Sequence, residues 1–202
     1  MIIETKGKRF LTDPGAYTIE QNDVKNIDCV VITHEHTDHL HIDSLKIVLK
    51  NNPQAQIITN SSVGKILEKE GIAYTKIVDG ENMKVGEVEI SGHGLKHAPI
   101  YKDYEQVENT GYFFDNKLFY PGDAFFNPGI PVDILALPVS APWSMISQSI
   151  DYLLEVKPKI AFPVHDGNLI RRSGITERLP KLYAEQNGIK FIPLELGKET
   201  EL

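Results

Sequence analysis

The segment Asp28–His41 constrains the fold more than any other part of the chain, because it joins an apolar run to a dense polar cluster. The run "DCVVIT" (Asp28–Thr33) is rich in β-branched residues, which is typical of a strand buried on both faces. It leads directly into "THEHTDHLH" (Thr33–His41), which holds four of the seven histidines in the chain. Histidines gathered at the end of a buried strand predict a metal site.

The spacing within this cluster predicts how its side chains divide. His34 and His36 are two residues apart, so in an extended chain both imidazoles share one face and Glu35 points away. Asp38 and His39 are adjacent and cannot share a face, so the chain must turn and they can serve a neighbouring position. Imidazole and carboxylate ligands suit Zn²⁺, iron or Mn²⁺.

The remaining chain alternates short apolar strands with amphipathic helices. The patterns predict helices over Asp43–Lys50, Ser62–Glu70, Ser144–Pro158 and, in part, Thr176–Gly188. They predict strands over Lys8–Gly15, Ala55–Thr59, Ala73–Ile77, Val132–Ser140, Lys159–His165 and Lys190–Leu194, a strand pair around Met83–Ser91, and a hairpin over Asn109–Asp123 that turns at Asp115-Asn116. This interleaving predicts an α/β fold with a sheet core and outer helices, in a single domain over residues 1–202.

Composition excludes several classes of function. The net charge is −7 with scattered acidic residues, which argues against a nucleic-acid-binding surface. Cys29 is the single cysteine, so an intramolecular disulfide is impossible and a buried thiol is expected. The start "MIIETKGKRF" lacks the apolar core of a signal peptide, and no apolar run approaches ~18 residues. We therefore expect a cytoplasmic protein without a membrane partner.

The cluster and three later motifs resemble those of a known family. His-x-His-x-Asp-His resembles the signature of the metallo-β-lactamase superfamily, and "TDPG" (Thr12–Gly15) is similar to its early Asp-Pro-Gly turn. Each later motif follows a predicted strand in the family's order: "LKHAP" with His97, "YPGDAF" with Asp123 and "FPVHDG" with His165. The segment Leu137–Gly167 is most similar to a branch with ascorbate-phosphate lactonase-like and N-acyl-phosphatidylethanolamine phospholipase D-like hydrolases.

The resemblance implies a four-layer αββα metallo-β-lactamase fold with two divalent metal ions, zinc before manganese or iron. One ion would be held by His34, His36 and His97. The second would be held by Asp38, His39 and His165, with Asp123 bridging. A bridging hydroxide would attack the substrate, with Asp38 as the catalytic residue that orients it. The net positive centre would favour a small-molecule substrate that is anionic or that develops an oxyanion. The expected substrate is a small ester, lactone or phosphodiester.

Two other functions stay open at this point. One is an iron-dependent sulfur dioxygenase-type oxidoreductase of the same fold, and the other is a non-catalytic metal-binding domain. Diiron relatives carry glutamate where this chain has His36, which counts against a diiron centre. The complete ligand set counts against a non-catalytic domain.

Several residues near these motifs have two interpretations each. His93 is a rival of His97 as a ligand but is expected to be a strand side chain, and His41 is expected to begin a helix rather than face the substrate. Asp13 either hydrogen-bonds a ligand histidine or is an ordinary turn residue, and Asp166 is similarly ambiguous. Trp143 packs over the following helix or lines the pocket.

The residues that bind the substrate are unknown from the sequence, but two segments are candidates. The loop Ala98–Gly111, with Tyr101, Lys102 and Tyr104, is either a substrate wall or a solvated loop. Arg171 and Arg172 are either a site for a substrate anion or a solvated basic pair.

The chain departs from the branch pattern at its start. Members of the branch usually begin with an extra strand before the strand that reads "IETKGKRFLTDPG" here, and we expect that first strand to be absent. The strand edge left open would invite pairing with a second copy of the chain. A homodimer across this edge is therefore a hypothesis.

Overall fold

A computed structural model describes residues 1–167, 169 and 174–202, which form two β-sheets and four α-helices. The first sheet comprises β1 (Ile2–Thr5), β2 (Lys8–Thr12), β3 (Cys29–Ile32), β4 (Gln56–Thr59) and β5 (Thr75–Lys76), in that order. The second comprises β6 (Asn82–Val85), β7 (Val88–His93), β8 (Gly111–Phe114), β9 (Leu118–Tyr120), β10 (Ile134–Pro138), β11 (Ile160–Val164) and β12 (Lys190–Phe191), again side by side in chain order. The helices are α1 (Ile42–Asn51), α2 (Ser61–Lys69), α3 (Ile146–Val156) and α4 (Ile175–Gln186).

The alternation of side chains along the strands produces four layers. Cys29 and Val31 of β3 lie in the core between the two sheets, whereas Val30 and Ile32 pack with residues of α1 and α2. In β8, Tyr112 and Phe114 belong to the core between the sheets, and Phe113 packs towards α3 and α4. Helices therefore cover both outer faces, and the predicted αββα fold is confirmed.

Parallel pairing brings the functional motifs to one end of the sandwich. Strands β2 to β5 are parallel to one another, and so are β9 to β12. The carboxyl ends of parallel strands meet at one edge, which is where α/β sheets bind their ligands. His34 follows β3, Asp123 follows β9 and His165 follows β11, so strand direction alone gathers these residues.

The amino-terminal region differs from the expectation. The segment predicted as a single strand is a hairpin in which β1 pairs antiparallel with β2, and Lys6 and Gly7 form the turn with positive φ. The segment "IETKGKRFLTDPG" therefore supplies two strands rather than one, and β1 covers the side of β2 that faces away from β3. The far side of β1 is one of the two edges of the first sheet, and β5 forms the other.

The other predicted elements are found with small changes at their ends. His41 is the N-cap of α1, where its Nδ1 accepts from the Ser44 backbone N–H, as expected for the start of a helix. Asp115 and Asn116 both adopt positive φ in the predicted turn between β8 and β9. The last strand is shorter than predicted and ends at Phe191. Among the described residues, no helix has the length and apolarity to cross a bilayer.

Candidate metal centre

The structure brings all seven predicted ligands together, in two adjoining groups. The first group is His34, His36 and His97, and the second is Asp38, His39, Asp123 and His165. Within each group, the candidate ligand atoms all lie within 4.8 Å of one another. The predicted division of the histidine cluster between two positions is therefore reproduced by the geometry.

A turn after His36 separates the two halves of the histidine cluster. The backbone N–H groups of His39 and Leu40 both donate to the His36 carbonyl, at 2.9 and 2.8 Å. This places Asp38 and His39 in one group with Asp123, although the His39 ring stays 4.0 Å from the His34 ring between centroids. The expected change of direction within the cluster is confirmed.

The Nδ1 atoms of four histidines are held by polar partners outside the two groups. His97 Nδ1 lies 2.6 Å from the Ala98 carbonyl, and His165 Nδ1 lies 2.6 Å from the Ser140 carbonyl. His34 Nδ1 lies 3.0 Å from Thr33 Oγ1, and His39 Nδ1 lies 2.7 Å from Asp13 Oδ2. An imidazole that donates from Nδ1 leaves Nε2 with a free lone pair, which is the form that binds a metal.

Asp13 is a central acceptor beneath the second group. Its Oδ2 receives the Tyr120 hydroxyl at 2.7 Å and the Thr33 hydroxyl at 2.8 Å, in addition to His39 Nδ1. Its Oδ1 accepts from the Thr33 backbone N–H. The first of the two interpretations of Asp13, a hydrogen bond to a clustered histidine, is the one that the structure contains.

The Asp123 carboxylate lies between the two groups. Its Oδ1 is 3.1 Å from His39 Nε2, and its Oδ2 is 3.2 Å from His165 Nε2 and 3.4 Å from His97 Nε2. The Asn109 side chain fixes the preceding turn, since its Oδ1 accepts from the Asp123 backbone N–H. Asp123 is the residue of the cluster best placed to contact both groups.

The buried polar atoms of the cluster fit metal ions. His97 Nε2, His165 Nε2 and Asp123 Oδ1 are buried without a hydrogen-bond partner among the described residues. Buried polar groups left in this state are costly and call for an explanation such as an ion. Imidazole nitrogens with carboxylate oxygens are a donor set that suits zinc and, less selectively, manganese or iron.

The histidines and carboxylates of the cluster stabilise one another's charges. Burial opposes the charge on His39, but the Asp123 and Asp13 carboxylates outweigh it and raise its pKa to about 10. The same balance, with Asp123 and Asp38 nearby, raises the pKa of His165 to about 11. Burial alone would raise the pKa of Asp123, yet the surrounding histidines hold it well below its usual range.

His34 behaves in the opposite way, because burial and then the nearby His39 lower its pKa well below 6.5. It is therefore neutral at physiological pH.

The two carboxylates of the cluster differ in exposure: 22% of the Asp38 side chain is accessible, against 4% for Asp123. Asp38 is therefore the carboxylate on the solvent side of the cluster.

Trp143 contacts the cluster directly, which the sequence left as one of two interpretations. Its indole Nε1 donates to Asp123 Oδ2 at 2.8 Å, and its ring meets His97 edge-on at 5.6 Å between centroids. A signal was available, because "APW" follows β10, and the strands on either side of β10 precede Asp123 and His165. Of its two interpretations, the structure supports contact with the site.

The remaining candidates lie outside the two groups or outside the described residues. His93 ends β7 and packs edge-on against Phe113, so of the two rival histidines only His97 joins the described cluster. Among the described residues, neither group includes Asp166 or His41. Arg171 and Arg172 lie outside the described residues.

The loop Ala98–Gly111 is attached to the cluster near its beginning and end. The Ala98 N–H donates to the Asp123 carbonyl, and Gln106 Nε2 donates to the His97 carbonyl. Tyr101 and Tyr104, between these anchors, are exposed. A contact between these two tyrosines and a substrate stays a prediction.

Comparisons with known proteins agree with this architecture. A family described as beta-lactamase superfamily domain matches residues 1–165. Protein Rv0786c of Mycobacterium tuberculosis is 32% identical over 170 residues, which cover 82% of this chain and 79% of that protein. A UPF0173 metal-dependent hydrolase of Koribacter versatilis is 26% identical over 89% of this chain and 85% of its own length. The structure of Igni18, a metallo hydrolase from Ignicoccus hospitalis, shares the fold with a TM-score of 0.75 and 22% identity, covering 98% of this chain and 91% of that one.

Proposed function

We propose that this chain, which belongs to the beta-lactamase superfamily and is a metal-dependent hydrolase of that superfamily, acts with two divalent cations, zinc in first place. The proposed substrate is a small ester, lactone or phosphodiester. The observation that supports this proposal best is the arrangement of the imidazoles. Four of them contact other polar groups through Nδ1, and three of these place Nε2 within 3.4 Å of the one Asp123 carboxylate.

The residues divide into two cation positions in this proposal. His34, His36 and His97 would hold one cation, and Asp38, His39 and His165 the other, with Asp123 contacting both. Such a pair supplies a water that is ionised near neutral pH and a Lewis acid for the oxygen that gains charge. The protein contributes the fixed, dry surroundings: His34, His39, His97 and Asp123 are all buried.

Asp38 is proposed as the catalytic carboxylate, because of the two carboxylates in the cluster it is the more exposed one. Its Oδ2 lies 3.4 Å from His165 Nε2 and 3.7 Å from His39 Nε2. From this position it would orient the attacking water and accept its proton, which can then pass to the leaving oxygen.

An anionic substrate is the best match to the charges of the centre. Two divalent cations outweigh the two carboxylates that contact them, so the centre is positive within an acidic protein of net charge −7. This charge favours a phosphodiester, or a carboxyl ester or lactone that develops an oxyanion. Fold alone does not assign the substrate.

A single set of measurements tests the proposal. The purified protein is analysed for metal content and assayed on bis(p-nitrophenyl) phosphate, p-nitrophenyl esters and a panel of lactones. We expect two equivalents of zinc and hydrolysis of at least one class. Asp123→Ala should lose one equivalent and activity together, whereas Asp28→Ala, which removes a carboxylate paired with Lys8 away from the cluster, should retain both.

Two results would refute the proposal. A protein loaded with two zinc ions that hydrolyses none of these substrates would indicate a non-catalytic metal-binding domain. Tightly bound iron with oxygen consumption would indicate the dioxygenase-type alternative. A cytoplasmic location stays a prediction from the sequence.

We further propose a homodimer formed across the outer side of β1, which is one of the two edge strands of the first sheet. Light scattering over a hundredfold range of protein concentration measures it. A mass that remains monomeric throughout this range would contradict the dimer.

A further inference from the structure

Trp143 contacts both groups of the candidate centre through the carboxylate that lies between them. Its indole N–H donates to Asp123 Oδ2 at 2.8 Å, which is closer than any imidazole nitrogen that approaches this carboxylate in the described part of the chain. Its ring meets His97 of the first group at 5.6 Å and His165 of the second at 6.3 Å, edge-on in both cases. The side chain is only 8% exposed.

The other described groups that approach the Asp123 carboxylate are all candidate ligands. Nε2 atoms of His34, His39, His97 and His165 lie 3.1–4.0 Å from its oxygens. Each of these nitrogens would turn its lone pair to a cation when the centre is filled. The indole N–H has no lone pair to offer and does not ionise at physiological pH, so it alone can hold Asp123 in the same way before and after metal binding.

The hydrogen bond also decides which carboxylate oxygen lies beside which histidines. With Oδ2 held beside Trp143, Oδ1 faces His39, and Oδ2 lies between His97 and His165. A carboxylate without this contact can rotate about its Cβ–Cγ bond and lose that assignment. The first group has three imidazoles without Asp123, whereas the second includes Asp123 among its four members.

We propose that Trp143 is a positioning residue for Asp123, and that its indole N–H sets the affinity of the second cation position, the one formed by Asp38, His39 and His165. The inference rests on the proposed two-cation centre. Partners of ligating groups typically change metal affinity by about 10–100-fold when they are removed. The effect should be larger on the second cation, because the first position keeps three imidazoles that do not depend on Asp123.

A near-isosteric replacement of one tryptophan tests this inference. Trp143 is the only tryptophan in the chain, so expression with β-(3-benzothienyl)alanine exchanges this single N–H for sulfur and nearly preserves the shape of the ring. Zinc is titrated into chelator-treated protein by calorimetry, with the bound metal counted by elemental analysis. We expect two affinities in the wild type and a second affinity that is about 10–100-fold weaker in the replaced protein.

Two further variants separate the hydrogen bond from ring packing. Trp143→Phe keeps an aromatic ring without the donor and should weaken the second affinity in the same way. Phe125→Leu alters the packing against the indole, which Phe125 meets at 5.1 Å, but retains the N–H and should bind zinc like the wild type. Proton–nitrogen NMR gives a direct readout, because the single indole N–H resonance should stay protected from solvent exchange in the zinc-loaded protein.

The possible failures are distinct. If the wild type binds two zinc ions and the benzothienyl protein has the same two affinities, the positioning role is overturned. Equal weakening of both affinities would overturn the assignment to the second position. A wild type that binds a single zinc ion would refute the two-cation proposal itself, and this inference with it.

Discussion

At the scale of single residues, the histidine tautomers determine what the centre can bind. His39 presents Nε2 to Asp123 because its Nδ1 contacts Asp13, and Asp13 in turn accepts from the Thr33 and Tyr120 hydroxyls. An imidazole without such an acceptor can rotate or change its tautomer. The orientation of His39 therefore depends on Asp13, a residue that belongs to neither group of candidate ligands.

Removing Asp13 tests this dependence. We expect Asp13→Ala to weaken zinc binding at the position containing His39 by about 10–100-fold, because the acceptor for Nδ1–H is lost. Competition with a coloured chelator measures the affinity. Asp28→Ala is the matched control, since Asp28 accepts from the Lys8 ammonium and the Arg9 N–H without touching the cluster. Unchanged zinc affinity in Asp13→Ala would show that Asp13 does not orient His39.

The metal-free protein should lose stability as the solution becomes alkaline. The pKa of His39 is raised from 6.5 to about 10 by Asp123 and Asp13, so its protonated form stabilises the folded state. A raised pKa contributes stability that is complete below pH 6.5 and is lost as the pH rises through about 10. His165, whose pKa is about 11, acts in the same direction.

The corresponding measurement is the melting temperature of chelator-treated protein between pH 7 and 10. We expect it to fall across this range, and to fall less in His39→Gln. The zinc-loaded protein should not show this decline, because protons no longer occupy the cluster and metal binding strengthens as ligands deprotonate. A melting temperature of the metal-free protein that rises with pH would contradict the prediction.

At the scale of elements, the Asp-Pro-Gly turn after β2 packs directly against the ligand loop. A Cβ on Gly15 would lie 1.8 Å from the Asp38 carbonyl oxygen, and the Ala16 N–H donates to the Thr37 carbonyl. Since backbone atoms cannot move aside as a flexible side chain can, only glycine allows this approach. The turn thus sets the position of the loop that carries Asp38 and His39.

Gly15→Ala should therefore lower both the stability and the affinity for the second cation. Thermal unfolding and zinc titration measure the two effects. Gly71→Ala is the control: its Cβ meets no described atom within 4 Å, so it carries only the cost of a left-handed alanine, about 1–2 kcal/mol. If Gly15→Ala costs no more than Gly71→Ala and binds zinc normally, the close packing is not required.

Local patterns predict most elements, and contacts between distant segments account for what they miss. A few neighbouring residues are enough to predict the buried strand before His34. The spacing of His34, His36 and His39 then predicts that the ligands divide between two positions. The Trp143 hydrogen bond joins residues 20 positions apart that no periodicity connects. Sequence patterns do not predict the hairpin of β1 and β2, because its turn at Lys6 and Gly7 lies in a polar stretch without a proline or an Asn-Gly pair.

At the scale of the whole molecule, the candidate centre joins the two sheets. His34, His36, Asp38 and His39 follow β3 of the first sheet, whereas His97, Asp123 and His165 follow strands of the second. Each cation position takes ligands from both sheets. A bound cation would therefore hold together two layers that otherwise contact each other through the apolar core.

Zinc removal should consequently destabilise the entire sandwich. At free zinc 1,000-fold above the dissociation constant, binding adds about 4 kcal/mol, or roughly 10 °C in the melting temperature of a chain this size. Calorimetry of zinc-loaded and chelator-treated protein measures the shift. Calcium, which prefers all-oxygen sites, should not restore the loss.

Hydrogen exchange resolves where that stabilisation acts. After zinc removal, we expect faster amide exchange at the ends of β3, β9 and β11, which lead into ligands in different sheets. Strand β1, on the outer edge of the first sheet and remote in sequence from the ligands, should change least. The His36→Gln and His165→Gln variants, one ligand from each sheet, should each reproduce part of this pattern. Exchange that accelerates in only one sheet would show that the cations do not join the two sheets.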